Sequence, residues 1–338
     1  MRVESVTSAQ NRKVKTLLAL QEKARLRKEM GLFVVEGRRE LGHCVRAGFE
    51  IDTLFYCPEI TGCSGIHLPE TSFGPPPSKL GSPPLTMPRV ARFPGSESPN
   101  QENGSAVGSS AAICYSALTR HADSFRANAA EDPLPNLDML QTILENSVQI
   151  VEVPRELYEK IAYRGGTEGM IAEVKVKERT LDGLEMREKP LVVVLEGVEK
   201  PGNIGAVLRS ADAAGADAVL ICDPLTDLYN PNLIRASIGA VFTVQVVCCS
   251  SEEAIKWLKD NKINIYTAQL QDSSWYYDTD MTGGTAIVVG TEATGLTDGW
   301  RKAADGHIRI PMLGELDSLN ASVSAAILLF EAVRQRNA

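Results

Sequence analysis

No uninterrupted apolar stretch in the 338-residue chain approaches membrane-spanning length. The longest, such as Leu191–Leu195 and Ala325–Phe330, fall far short of the ~18 residues a transmembrane helix needs. The opening segment MRVESVTSAQNRKVK lacks the apolar centre of a secretory signal, so no export is expected. The seven cysteines (Cys44, Cys57, Cys63, Cys114, Cys222, Cys248 and Cys249) include no CxxC pair. An odd number without that spacing points to reduced thiols in a cytoplasmic protein, with neither a disulfide framework nor a zinc site. At 43% hydrophobic and 23% charged residues, global disorder and collagen-like structure are excluded.

The net charge of −8 excludes a chain coated all over with positive charge, yet its distribution is uneven. Residues 1–50 carry eleven Lys/Arg against six acids, so this segment is +5 and the remainder −13. A basic N-terminal unit on an acidic protein can hold a polyanion locally, or it can be a solvated helix with i,i+4 ion pairs.

Residues 8–30 are predicted as one helix with Ser8 as N-cap, ended by Gly31. Strand 32–36, helix 38–47 and strand 51–56 follow, making a small α/β unit. Ten of the 18 prolines then fall between Pro58 and Pro99, among many Ser and Gly. Residues 58–140 are expected to be a disordered insertion, with a short helix near 116–128. Strand 148–153, helix 154–162 and strand 170–175 complete the first unit, and 181–189 reads as a linker. From Pro190 buried strands (191–198, 218–222, 243–247, 264–268, 285–289, 307–310) alternate with helices (203–214, 232–238, 252–261, 320–336), the pattern of a parallel sheet covered on both faces.

Three loops in this second half occupy strand ends, where open α/β sheets collect ligands. In EKPGNIGAVLRSADAAGA (199–216) a turn opens a helix, with Asn203 at its start and Arg209 on its polar side. A free helix N-terminus and a guanidinium suit a phosphate or ribose; a capping Asn and a surface Arg explain the same residues. The stretch has no GxGxxG and no GK[ST], so neither a dinucleotide fingerprint nor a P-loop is present. In VVGTEATGLTD (288–298) an apolar strand empties into a glycine-bearing loop with one acid, Glu292; Gly290 permits close approach to backbone, and a simple strand-to-helix turn is the alternative. In IRIPMLGELDSLNASVSAAILLFEAV (308–333), Ser318-Leu319-Asn320 precedes a helix that starts with small residues, and Asn320 is a natural N-cap.

Taken together, GNIGAVLRSADAAGA, VVGTEATGLTD and IPMLGELDSLNASVSAAILLFE resemble, in order and spacing, the three motifs of the SpoU (TrmH-like) RNA ribose 2′-O-methyltransferases of the SPOUT class. The segment SAQNRKVKTLLALQEKARLRKEMGLFVVEGRREL resembles that family's small substrate-binding domain, which is similar to ribosomal protein L30e. The resemblance implies an α/β fold: an L30e-like domain over residues 1–180 carrying the insertion, and a methyltransferase domain over 190–338 with a SPOUT-type parallel sheet and a trefoil knot. It implies S-adenosylmethionine as cofactor, placed against Gly290, Ile310 and Leu319 with Thr267, Ala268, Gln269 and Met312 nearby. It implies Arg209 as the residue beside the reacting 2′-oxygen, with Asn203, Glu292, Ser318 and Asn320 orienting it and the ribose. Arg12, Lys13, Lys15 and Arg38 would grip RNA, ribosomal RNA in preference to transfer RNA. A homodimer completing the site is implied, with no metal and no membrane. The competing readings are a non-catalytic RNA-binding or assembly factor on the same fold, and a nucleotide-dependent oxidoreductase.

Overall fold

The computed structural model describes residues 2–62, 142–163, 168–292, 294–315 and 318–338. Nearly all of the expected insertion, including the helix expected near 116–128, lies outside them. Its first residues, Pro58–Thr61, form a short helix.

The N-terminal sheet contains β1 (Arg2–Ser5), β2 (Leu32–Glu36), β3 (Ile51–Tyr56), β4 (Ser147–Glu152) and β5 (Met170–Lys175) in the order β1-β4-β3-β5-β2. β4, which follows the long intervening segment, inserts between β1 and β3 and runs parallel to both, while β5 is antiparallel to β3 and β2. The expected single helix over 8–30 is two helices, Arg12–Glu22 and Ala24–Met30. Lys23 between them is extended (φ −107°, ψ 104°), which interrupts the i→i−4 ladder. The N-cap is Asn11, whose side chain accepts from the Lys13 N–H, rather than Ser8; Ser8 instead accepts from Gln10. Val14, Leu17 and Leu20 form the buried stripe.

The C-terminal sheet has seven strands: β6 (Leu191–Glu196), β7 (Ala218–Cys222), β8 (Val246–Cys249), β9 (Asn264–Ala268), β10 (Ser274–Trp275), β11 (Thr285–Val289) and β12 (Gly306–Arg309). Their order is β10-β12-β9-β11-β6-β7-β8, and every pairing is parallel. All residues of β6, β7 and β11 are buried, which accounts for the apolar runs 191–195, 218–222 and 286–289. The strand expected at 243–247 is displaced: Ala240–Thr243 is a helical turn and the strand begins at Val246. The segment 181–189 is more than a linker. It holds a 3₁₀ turn, Leu181–Gly183, and Leu181, Leu184 and Met186 pack on the sheet's core.

β7 and β8 extend from one side of β6, and β11 and β9 from the other. The chain therefore reverses direction across the sheet at β6/β11, and the parallel strands all deliver their C-terminal ends to one edge, where such sheets form a crevice. Two helices frame that edge. Helix Pro201–Ala213 buries Ile204, Val207, Leu208 and Ala211, and helix Ala321–Arg336 packs against it. The Arg336 guanidinium fastens the last helix to the start of the sheet, donating to the carbonyls of Lys189, Pro190, Met281 and Gly283.

The two sheets belong to one compact unit. Phe33 of β2 is fully buried with its ring stacked 4.1 Å from Tyr229, and Phe242 and Phe49 close the cluster. Arg27, one of the eleven basic residues at the N-terminus, is only 3% exposed; its Nε donates to Asp227 at 2.5 Å and its Nη1 to the Leu20 and Gln21 carbonyls. A buried guanidinium paired and hydrogen-bonded in this way is a docking element between the lobes, unavailable to a polyanion.

Candidate active site

The loop leaving β11 is folded on itself. Thr291 and Gly295 form an antiparallel bridge, Gly295 N donates to the Thr291 carbonyl at 3.1 Å, and Thr294 N donates to Thr291 Oγ1 at 3.0 Å. Gly295 sits at φ +66°, a conformation that disfavours a β-carbon. Gly290 is required for a different reason: a Cβ there would stand 2.6 Å from the Gly295 carbonyl. The loop's far end is tethered by Glu196, buried at the end of β6, which accepts from Thr297 N at 2.9 Å and Thr297 Oγ1 at 2.6 Å.

Glu292, at the tip of this loop, gathers the other two motifs. Its Oε1 accepts from Asn203 Nδ2 at 2.9 Å and Asn320 Nδ2 at 2.7 Å, and its Oε2 from Lys200 Nζ at 2.9 Å. Asn320 Nδ2 also reaches Asn203 Oδ1 at 3.2 Å, while Asn320 Oδ1 caps the last helix through the Ser322 N–H at 3.0 Å. One asparagine thus fixes both a helix start and the carboxylate. The donated hydrogen bonds, from Lys200 first and then Asn203, hold the Glu292 carboxyl below its ordinary range, and Glu292 in turn raises the Lys200 ammonium.

Beside this cluster lies a cleft of about 420 Å³ between the ends of β9, β11 and β12 and the start of the last helix. Ala268, Gln269, Gly290, Ile310, Met312, Leu319, Glu292 and Ser318 all line it. Thr267 does not: it is fully buried, and its Oγ1 lies 2.6 Å from His307 Nδ1 on the adjoining strand. Two polar atoms of the lining, Gln269 Oε1 and Arg301 Nε, are buried without a hydrogen-bond partner among the described residues. Such groups are costly unless a ligand or water satisfies them.

Arg209 is absent from the cleft lining. It is exposed and has no hydrogen-bond or ion-pair partner among the described residues. Six residues of helix put it ~9 Å along the axis from Asn203. Lys200 and Arg301 are site residues that sequence reading passed over. Lys200 stood inside the quoted EKPGN turn, where only its neighbour on the far loop reveals a role. Among the described residues no cluster of His, Cys, Asp or Glu could hold a metal ion, and no helix is long and apolar enough to cross a membrane.

Residues 190–330 match the family model of the SpoU rRNA Methylase family, and residues 11–68 match an MRM3-like substrate binding domain. A 23S rRNA (uridine(2479)-2′-O)-methyltransferase of Streptomyces viridochromogenes is 32% identical over 59% of this chain and 71% of its own length. The 23S rRNA (guanosine-2′-O-)-methyltransferase RlmB of Vibrio cholerae is 35% identical over 60% of this chain and 84% of its own. The chain belongs to the SpoU rRNA methylase family. A crystal structure of an RNA 2′-O ribose methyltransferase superposes with a TM-score of 0.66 at 29% identity, covering 99% of this chain and all of that one. This likeness spans both sheets, so the family's architecture extends beyond the motif-bearing half.

Proposed function

We propose that the protein transfers a methyl group from S-adenosylmethionine to a ribose 2′-hydroxyl of ribosomal RNA. The observation that carries this reading is the junction of three distant loops at Glu292, on the wall of a cleft whose lining includes six of the seven residues expected to hold the cofactor. The cleft suits that cofactor. Its lining carries the orphaned Gln269 and Arg301 atoms, which can meet the cofactor's polar groups. Residue 267 acts at one remove, buttressing β9 against β12 through His307.

When bound, S-adenosylmethionine supplies an electrophilic methyl carried on a sulfonium sulfur. The chain's task is to align a weakly nucleophilic hydroxyl and stabilise its developing negative charge. Glu292, held ionised by two amides and an ammonium, is a weak base and serves as a fixed anchor that locks Asn203 and Asn320 in place. Ser318, on the cleft rim, is placed to meet the ribose. Arginine stays protonated at neutral pH, so Arg209 contributes a positive field and a phosphate clamp, leaving a substrate phosphate oxygen or water to take the proton.

Arg209 is absent from the lining of its own chain's cleft, and in this reading a second copy supplies it. The last helix supports a homodimer. Val323 and Phe330 are exposed on it and Leu319 just before its start, apolar surface on a helix that packs against Pro201–Ala213. Dimerisation through this face, with the family's trefoil knot in each subunit, would bring one chain's Arg209 to the other's cleft. The N-terminal lobe supplies the RNA grip through exposed Arg12 and Lys15 and half-buried Arg38; Lys13 is partly committed to Glu4 at 2.8 Å. The relatives' substrates favour ribosomal over transfer RNA, and a cytoplasmic location fits that substrate.

The test mixes two inactive variants, Arg209→Ala and Glu292→Gln. Each alone should lose methyl transfer while Arg209→Ala keeps cofactor affinity. Mixed, they should recover up to about a quarter of wild-type activity, because one mixed-dimer site carries neither change. Full activity of Arg209→Ala would remove this residue from the mechanism, and absence of recovery would refute its contribution from the second copy.

A further inference from the structure

Of the two arginines lining the cleft, one is committed. Arg309 Nη1 donates to the Ser273 carbonyl at 2.8 Å, and its guanidinium lies 4.1 Å over the Trp275 ring. Lys200, the cation nearest the motif junction, is paired with Glu292. Arg301 alone among these has no ion-pair or side-chain hydrogen-bond partner among the described residues, although its Nε is buried.

Its position is built. Trp300, the preceding residue, is fully buried and donates from Nε1 to Ser251 Oγ at 2.9 Å, which fixes the rotation of the short helix Asp298–Ala303. The helix entry is tied down by Glu196 through Thr297. With that rotation set, Arg301 extends back along the cleft to Gly295, where an added Cβ would lie 3.9 Å from Nη2. A guanidinium with an unsatisfied inner nitrogen, held in the wall of a cleft where Glu292, the one carboxylate among the described lining residues, is already paired, is matched to an incoming carboxylate.

Resting on the reading of this cleft as the S-adenosylmethionine site, we infer that Arg301 is the positioning residue that recognises the α-carboxylate of the cofactor's methionine end. This assigns the two ends of the cleft. The amino-acid end lies toward Gly295 and Arg301, and the transferred methyl faces Glu292 and Asn320. Gln269 Oε1, the second orphan, offers an acceptor for the adjacent ammonium or the adenine amino group.

Isothermal titration of the full chain with S-adenosylmethionine and with its decarboxylated analogue tests the assignment, because the two ligands differ only in that carboxylate. Wild-type protein should prefer S-adenosylmethionine by about tenfold or more, the range expected for a charge-assisted pair. In Arg301→Gln the preference should collapse to about twofold or less through loss of affinity for the carboxylate-bearing ligand alone, and Arg301→Lys should restore part of it. Equal affinities in the wild type, or a variant that weakens both ligands alike, would overturn the inference. So would a variant that lowers RNA affinity and leaves the ligand preference intact. Wild-type protein that binds neither ligand would instead overturn the cofactor reading on which this rests.

Discussion

Replacing Gly290 with alanine probes how tightly the β11 loop must close. The new Cβ would lie 2.6 Å from the Gly295 carbonyl carbon and oxygen and 2.8 Å from the Leu296 nitrogen, whereas ordinary contact begins at 3.4 Å. The two arms of the loop must separate by the difference, about 0.8 Å, and every opposing atom is backbone, so no side chain can swing aside. Gly290 is outside the left-handed region, so an alanine can adopt its backbone conformation and the whole effect is steric. Overpacking of this kind costs ~1–3 kcal/mol. The displaced loop carries Glu292, and with it the hydrogen bonds to Asn203 and Asn320. Misplacement near 1 Å at a reacting centre costs roughly a hundredfold in rate. The expected result is a melting temperature lowered by ~2–4 °C per kcal/mol lost, with methyl transfer reduced by about two orders of magnitude and S-adenosylhomocysteine binding weakened. Gly202→Ala is the control: nothing lies within 4 Å of its added Cβ, and stability should stay within ~0.5 kcal/mol of wild type. Wild-type ligand affinity in Gly290→Ala would refute the argument that the tight loop shapes the cleft.

Two other outcomes are expected. Burial and then the neighbouring Asp52 push the Glu173 carboxyl up to about 7, above the 4.5 of a free glutamate. A raised acid favours its neutral form in the fold, so its contribution is intact below pH 4.5 and is lost as pH rises toward 7, a gap worth ~3 kcal/mol; Glu173→Gln should therefore stabilise the protein in urea titrations at pH 8 by up to that amount and have almost no effect at pH 4, and an equal effect at both pH values would contradict the assigned cause. Arg12→Glu with Lys15→Glu should weaken RNA binding at low salt and reduce the slope of log affinity against log salt by about 1–2; an unchanged slope would place the RNA grip elsewhere.

The central strands were legible because a parallel strand covered on both faces is a continuous apolar run, and 191–195, 218–222 and 286–289 carry that signature in sequence alone. Asn203, Glu292 and Asn320 were legible as a set only through the resemblance, since each has an ordinary capping or turn role by itself. Lys200 and Arg301 were not legible because their significance lies in which atoms they meet, or fail to meet, across some ninety residues or at a cleft wall. Arg27 was misleading for the converse reason. A basic residue in a basic helix reads as solvated, and only the docked second lobe, through Asp227, reveals it as buried. Lys23 shows the limit of periodicity: the apolar stripe of 14, 17 and 20 ends before residue 23, yet nothing local marks the break in the helix.

The most direct test of the catalytic claim is the chemistry of the product. Ribosomal RNA incubated with the protein and methyl-labelled S-adenosylmethionine should yield label in dinucleotides that survive alkaline hydrolysis, because a methylated 2′-oxygen cannot attack its own phosphodiester. Label recovered only in alkali-released mononucleotides would place the methyl on a base and contradict the account, as would RNA that stays unlabelled.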